Sequence, residues 1–205
     1  MRLTEKKKII ASILDKLYPD PEIPLNHTNN FTFLVAVMLS AQSTDKKVNE
    51  ITPRLFSQAK TPEEMNNLTE EEIKDIIREI GLAPTKARNI KKMSEIIIDK
   101  YSGKVPKNFE GLESLPGVGH KTASVIMSQA FNKPAFPVDT HIHRLAYRWK
   151  LSNGKNVVKT EKDLKRFFDK KDWNKRHLQM IFYGREHCKA RKNNCDCVVC
   201  GKIKS

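Results

Sequence analysis

An all-α fold is predicted by three observations. Apolar residues recur at helical spacing along nearly the whole chain. Cap and stop signals punctuate that spacing at short intervals. No stretch alternates apolar and polar side chains as a half-buried strand would.

The elements follow in order. Ile9, Ile10, Ile13, Leu14 and Leu17 share one helical face, and Pro19, Pro21 and Pro24 end that helix. Phe31 to Leu39 is apolar nearly all round, the mark of a central, buried helix. Thr44 or Asp45 can cap a helix through Val48, Ile51 and Leu55. Thr61-Pro62-Glu63-Glu64 is a cap followed by proline at the first helical position. Thr69 and three glutamates start another helix, carrying Ile73, Ile76, Ile77 and Ile80, with Gly81 as its stop. Thr85 to Lys100 is expected to turn Ile90, Met93 and Ile97 inward. A short helix at 109–114 precedes one near Lys121–Phe131, and further helices are expected at 140–149, 157–168 and 173–187. The total is about ten helices with short loops and no internal repeat.

At 205 residues the chain buries enough surface to fold without staples. No stretch approaches the ~20 apolar residues of a membrane span, and the N-terminus lacks the apolar core of a signal peptide. A cytoplasmic, nucleoid-associated location is expected. The formal net charge is +14 and is uneven: 16 Lys/Arg against 6 Asp/Glu lie between Lys150 and Ser205. A basic C-terminal third fits a polyanion partner, nucleic acid first, although a solvated basic surface has the same composition. All four cysteines fall between Cys188 and Cys200. Stabilising disulfides would be scattered to close longer loops, so four thiols in one short segment point to a metal centre.

Two segments carry chemistry. In Leu115-Pro116-Gly117-Val118-Gly119-His120-Lys121-Thr122-Ala123, Gly117 and Gly119 permit a tight turn, and a helix starts near His120. Outward backbone N–H groups at such a turn form a phosphate cradle. This is the helix–hairpin–helix pattern of sequence-independent DNA binding; the plainer reading is a Gly-rich connection. Lys121 falls in the first helical turn, where the dipole disfavours a cation and favours the neutral amine a nucleophile needs. Alone it reads as one more phosphate-binding lysine. In Phe136-Pro137-Val138-Asp139-Thr140-His141-Ile142-His143-Arg144, Asp139 precedes an amphipathic helix. It reads as an N-cap, and a capping carboxylate is held rigidly enough to stabilise developing positive charge as well.

LPGVGHKTA, then VDTHIHR, then the clustered cysteines, together with Leu39-Ser40-Ala41-Gln42-Ser43-Thr44-Asp45 and Ile80-Gly81-Leu82 upstream, resemble the endonuclease III family of DNA glycosylases, in the family's order and over nearly the whole chain. The resemblance implies a bifunctional glycosylase and abasic-site lyase of base excision repair, acting on oxidised pyrimidines in double-stranded DNA as a monomer. Lys121 matches the lysine that displaces the base and forms a Schiff base, and Asp139 matches the essential carboxylate. Gln42 and Leu82 match residues that enter the duplex; for Leu82, core packing after Gly81 is the plain alternative. Asp45 and His141 match positions lining or supporting the lesion pocket. Arg191 and Lys192 match residues touching phosphate, and read otherwise as a solvated basic loop. The resemblance further implies a six-helix lobe at 23–133, a second lobe from 1–22 plus 134–205 with the cysteine cluster at 188–200, and a DNA-binding cleft.

Three departures stand out. His120 takes a place where the family often has arginine, and can approach phosphate in its stead. His143 stands where many relatives carry an aromatic residue. Cys188 and Cys195 keep the family's first interval, but the intervals to Cys197 and Cys200 are shortened. A [4Fe–4S] cluster is expected, with zinc or an empty site as alternatives. The rival functions are a monofunctional glycosylase of the adenine-removing branch, which lacks the lysine, and a non-catalytic DNA-binding protein with a redox-sensing cluster, which needs no Lys121–Asp139 pair.

Overall fold

The computed structural model describes residues 1–190, 195 and 197–204. Among these residues there are twelve α-helices, one π-helical and one 3₁₀ segment, and no strand. The chain divides into two compact units, Ile23–Phe131 and Met1–Glu22 with Asn132–Ser205. Among the described residues no helix is long and apolar enough to cross a membrane.

The unit Ile23–Phe131 is organised on α2 (Asn30–Leu39), in which every residue from Phe31 to Leu39 is buried. Asn29 and Thr32 form a reciprocal capping box that satisfies two backbone N–H groups at the buried helix start. Around it stand α3 (Asp45–Gln58), α4 (Pro62–Asn67), α5 (Glu70–Ile76), α6 (Ala83–Tyr101), α7 (Phe109–Glu113) and α8 (His120–Val125). That makes seven α-helices, one more than the six the resemblance implies, counting the single-turn α7. Thr44, Thr61 and Thr69 cap α3, α4 and α5 through their hydroxyls. The helix α6 lies against both α4 and α5, and α2 packs on α3, α6 and α8.

Three boundaries differ from expectation. The helix α5 ends at Ile76, with Ile77 as its C-cap, so Gly81 is not its stop; Ile80 is buried from a turn closed by its N–H on the Ile77 carbonyl. The helix α6 starts two residues early, at Ala83, because Leu82 takes a left-handed conformation that sets the turn. The helix expected at 121–131 is α-helical only to Val125 and continues as a π-helical segment, Ile126–Ala130. Three successive residues there, Ile126, Met127 and Ser128, are all buried, which a single stripe of a regular α-helix does not accommodate.

In the other unit, α1 (Leu3–Leu17), α9 (Thr140–Arg148), α10 (Val157–Phe167), α11 (Trp173–Glu186) and α12 (Val198–Lys204) share one core. One buried cluster joins Ile10 and Leu14 of α1 with Ile142, Leu145, Trp149, Met180, Tyr183 and all four cysteines. One polar staple ties α1 to α11: Arg176 Nη1 and Nη2 donate to Asp15 Oδ1 and Oδ2 at 2.8 and 2.9 Å, with Gln179 and Lys175 joining the same carboxylate at 3.1 Å. Bidentate pairing of a guanidinium with a carboxylate is the strong form of such a contact. The helix α12 is an addition to the expected set: it is short and starts inside the cysteine cluster, with Cys200 in its first turn.

Candidate functional site

The turn between α7 and α8 is built by packing and by one forced backbone conformation. Asn108 caps α7 by accepting from the Gly111 N–H at 2.7 Å. Leu115 and Val118 are buried, and the Val118 N–H closes the turn on the Leu115 carbonyl at 3.1 Å. Gly117 has φ +79, and a Cβ there would lie 2.8 Å from Asn89 Nδ2 and 2.9 Å from Met38 Cε. Glycine is needed on both counts. At Gly119 a Cβ would meet nothing within 4 Å, so its bareness serves neither packing nor a left-handed turn. It is the N-cap of α8 and offers no side chain to the first N–H groups of that helix. Those groups, with exposed His120 and Lys121 beside them, face open space. Such an end attracts anions. His120 is held by Glu113, at 2.8 Å, and stacks on Phe109.

Two other tips of the same unit carry backbone strain. Gln42 has φ +57 and Leu82 φ +64, and both are exposed, Leu82 to 56%. The left-handed region costs a non-glycine residue about 1–2 kcal/mol, and an exposed leucine gains nothing there from burial. Core packing is therefore not what Leu82 does. The tips adjoin: a Cβ on Gly81 would lie 3.6 Å from the Gln42 carbonyl oxygen. Asp45 is the first residue of α3, three residues beyond Gln42, and is half-buried.

In the other unit, Asp139 is the N-cap of α9: its Oδ1 accepts from the Ile142 N–H at 2.8 Å. Its second oxygen takes no hydrogen bond from the described residues, so capping uses only half of the carboxylate. His141 Nδ1 meets Arg144 Nη2 at 3.2 Å, and its Cβ lies against Gly184 of α11. His143 Nδ1 pairs with Thr160 Oγ1 at 2.8 Å, which ties α9 to α10 and accounts for a polar ring where an aromatic one is usual.

The four cysteines are buried and free of disulfides, and their Sγ atoms all lie within 4.8 Å of one another. The shortened spacing converges because Cys197 and Cys200 sit one helical turn apart: the Cys197 carbonyl accepts the Gly201 N–H at 2.9 Å as α12 begins. A hydrogen bond from the Cys188 thiol, and another from the Tyr183 hydroxyl, hold the Cys197 thiol well below the usual thiol range. Cys188 is pushed up in turn by sharing its proton with Cys197 and by burial. Arg148 Nη1 donates to Cys188 Sγ at 3.2 Å and to the Lys189 carbonyl at 2.9 Å; Arg144 binds the carbonyls of Gly184 and Cys188 at 2.8 and 2.9 Å. Four converging, buried, sulfur-only donors fit a metal centre held by four cysteines. Arg191 and Lys192 lie outside the described residues.

Residues 35–170 match the model of the HhH-GPD superfamily of base excision DNA repair proteins. Endonuclease III of Bacillus subtilis is 45% identical over 92% of this chain and 88% of its own length, and that of Escherichia coli 40% identical over 95% and 92%. The chain belongs to the endonuclease III family. Its fold matches that of a trapped endonuclease III–DNA covalent intermediate, an estranged-adenine complex, with a TM-score of 0.88 at 41% identity, covering 98% of this chain and 99% of that one. A non-covalent endonuclease III–DNA complex matches with the same TM-score at 43% identity, over 94% and 92%.

As an endonuclease III family member the chain shows several supporting residues that the sequence alone does not single out. Arg144 and Arg148 lie four apart on α9, both turned to the cysteine loop, and register in the sequence only as basic charge. Tyr183 registers only as an apolar face. Lys86 falls on the inward stripe with Ile90, Met93 and Ile97, an oddity of period that could have flagged it.

Proposed function

We propose that this endonuclease III family member is a bifunctional DNA glycosylase and abasic-site lyase of base excision repair. Its substrate class is oxidised pyrimidines in double-stranded DNA, and it acts as a monomer on DNA in the cytoplasm. The observation that carries this reading is the match, over nearly the full chain, to a covalent endonuclease III–DNA intermediate, joined to an exposed lysine at the first turn of the helix after the hairpin.

In this scheme the damaged nucleotide leaves the stack, at a cost of a few kcal/mol. The Lys121 Nζ lone pair attacks the anomeric carbon, the glycosidic bond breaks, and its electron pair leaves with the base, which takes up a proton. The amine then loses a proton as the sugar ring opens to the imine. Removal of a proton from the adjacent sugar carbon expels the 3′ phosphate by β-elimination. Asp139, rigid as a cap and with one oxygen taking no hydrogen bond from the described residues, assists deprotonation of the amine and stabilises positive charge developing on the sugar. The support for pairing these two residues is the order and spacing of their motifs. Gln42 and Leu82 fill the gap left by the extruded nucleotide, and Gly117, Gly119 and His120 present the hairpin to phosphate. Asp45 and His141 line or support the lesion pocket. Arg191 and Lys192 add phosphate contacts.

Cys188, Cys195, Cys197 and Cys200 hold a [4Fe–4S] cluster, with zinc as the competing occupant. When bound, the cluster orders the basic C-terminal loop and takes no part in bond breaking.

The test is incubation with abasic-site DNA and borohydride, with Lys121→Ala alongside. A covalent adduct from the wild type alone supports the lyase and its nucleophile. An adduct from Lys121→Ala overturns the role of Lys121, and no adduct from either chain favours a monofunctional glycosylase or a DNA-binding protein without catalysis.

A further inference from the structure

One buried lysine joins the two strained tips. Lys86, the fourth residue of α6, is 6% exposed. Its Nζ donates to the Leu39 carbonyl at 3.0 Å and to the Ala41 carbonyl, next to Gln42, at 2.6 Å. Its own N–H donates to the Leu82 carbonyl at 3.0 Å. A single residue is thus bonded to the neighbour of one tip through its side chain and to the other tip through its backbone.

The chemistry of that site is unusual. Among the described residues no carboxylate pairs with Lys86, and burial alone pushes its ammonium group towards the neutral form. A buried cation without a counter-charge is costly, and a methionine would fill the same volume without that cost. What the ammonium supplies is donors to two carbonyls on one segment. One of them, Leu39, ends α2, where a cation suits the orphan carbonyls. The other, Ala41, lies beyond the helix, so capping α2 does not account for it. The other described hydrogen bonds of the segment 40–43 are its own turn bonds, so the Lys86 ammonium adds the hydrogen-bonded tie between that segment and the start of α6.

We propose that Lys86 is a positioning residue that fixes the Gln42 and Leu82 tips to one another, so that they enter the duplex as one wedge. This rests on the reading that these two tips fill the gap left by the extruded nucleotide. The role is specific to duplex substrates. In a single-stranded abasic site there is no opposite strand to hold apart and no stack to replace, so a misaligned wedge has no consequence there.

The experiment measures borohydride-trapped adduct formation on duplex and on single-stranded abasic DNA for the full-length protein, Lys86→Met, Gln42→Ala and Leu82→Ala, with thermal melting of each. Lys86→Met is expected to lower the duplex-to-single-strand ratio of rates about ten-fold, the size of one lost charge-assisted hydrogen bond. Gln42→Ala and Leu82→Ala are expected to lower the same ratio. If they do and Lys86→Met does not, the positioning role is overturned while the wedge reading stands. If neither alanine variant changes the ratio, the wedge reading fails and this proposal with it. An equal loss on both substrates in Lys86→Met marks a residue that only supports folding, and also overturns it. Should Lys86→Met fail to fold, Lys86→Gln, which reaches one carbonyl at most, is read in the same way: a lowered ratio supports the proposal and an unchanged one overturns it.

Discussion

At the scale of single residues, one residue type at neighbouring positions answers different demands. Gly117 and Gly119 are two residues apart and are glycine for different reasons. Gly117→Ala forces a methyl group against Asn89 and Met38 at positive φ, and is expected to cost about 2 kcal/mol or more. Gly119→Ala meets no neighbour; it should cost below about 1 kcal/mol, as a poorer N-cap, and weaken DNA binding by covering the helix start. Calorimetric melting and a DNA titration of both variants check this, and equal melting losses at the two positions would contradict it. Asp139 poses the same question inside one side chain. Asn is as good a cap as Asp, so Asp139→Asn should stay within about 0.5 kcal/mol of the wild type, whereas Asp139→Ala should lose about 1 kcal/mol. Base release should collapse in both. Turnover surviving in Asp139→Asn would reduce Asp139 to a cap.

At the scale of elements, most helix starts were legible, and two helix ends were not. Thr44, Thr61, Thr69, Asn108 and Asp139 cap from their own side chains, a local bond between neighbours that sequence displays directly. The end of α5 at Ile76 and the π-helical turn at Ile126–Ala130 depend on what each segment packs against, and local pattern is silent on that. The join of α1 to α11 is likewise non-local. The Arg176 guanidinium beside Asp15, bonded to both carboxyl oxygens, holds that carboxyl far below the ordinary range. A carboxyl depressed in the folded state adds stability above its unfolded value, and that stability drains away as pH falls below about 4. Asp15→Asn should therefore melt lower than the wild type at neutral pH, and the gap should close on acidification towards about pH 2. Melting curves across that range decide it; a constant gap would mean that the pair's geometry, and not its charge, stabilises the joint.

At the scale of the whole molecule, a net charge of +14 makes binding to a polyanion depend on released counterions. For a chain that neutralises several phosphates, affinity for duplex DNA should fall about a thousand-fold between roughly 50 and 200 mM salt. A titration series in salt measures the slope directly. A nearly flat response would show that the basic C-terminal third is solvated surface and does not face DNA.

The sequence by itself determined the helical class, most helix starts, the hairpin and the set of four thiols, because each rests on residues close together in the chain. The family resemblance added roles for Lys121, Asp139, Gln42 and Leu82. Tertiary structure alone decided three further points. The shortened cysteine spacing converges because Cys197 and Cys200 occupy one helical turn. Leu82 stands in solvent at positive φ and is not part of the core. Lys86, Arg144 and Arg148 spend their donors on carbonyls dozens of residues away. A lysine or arginine in a sequence announces charge, but which distant carbonyl it reaches is fixed only when the chain has packed.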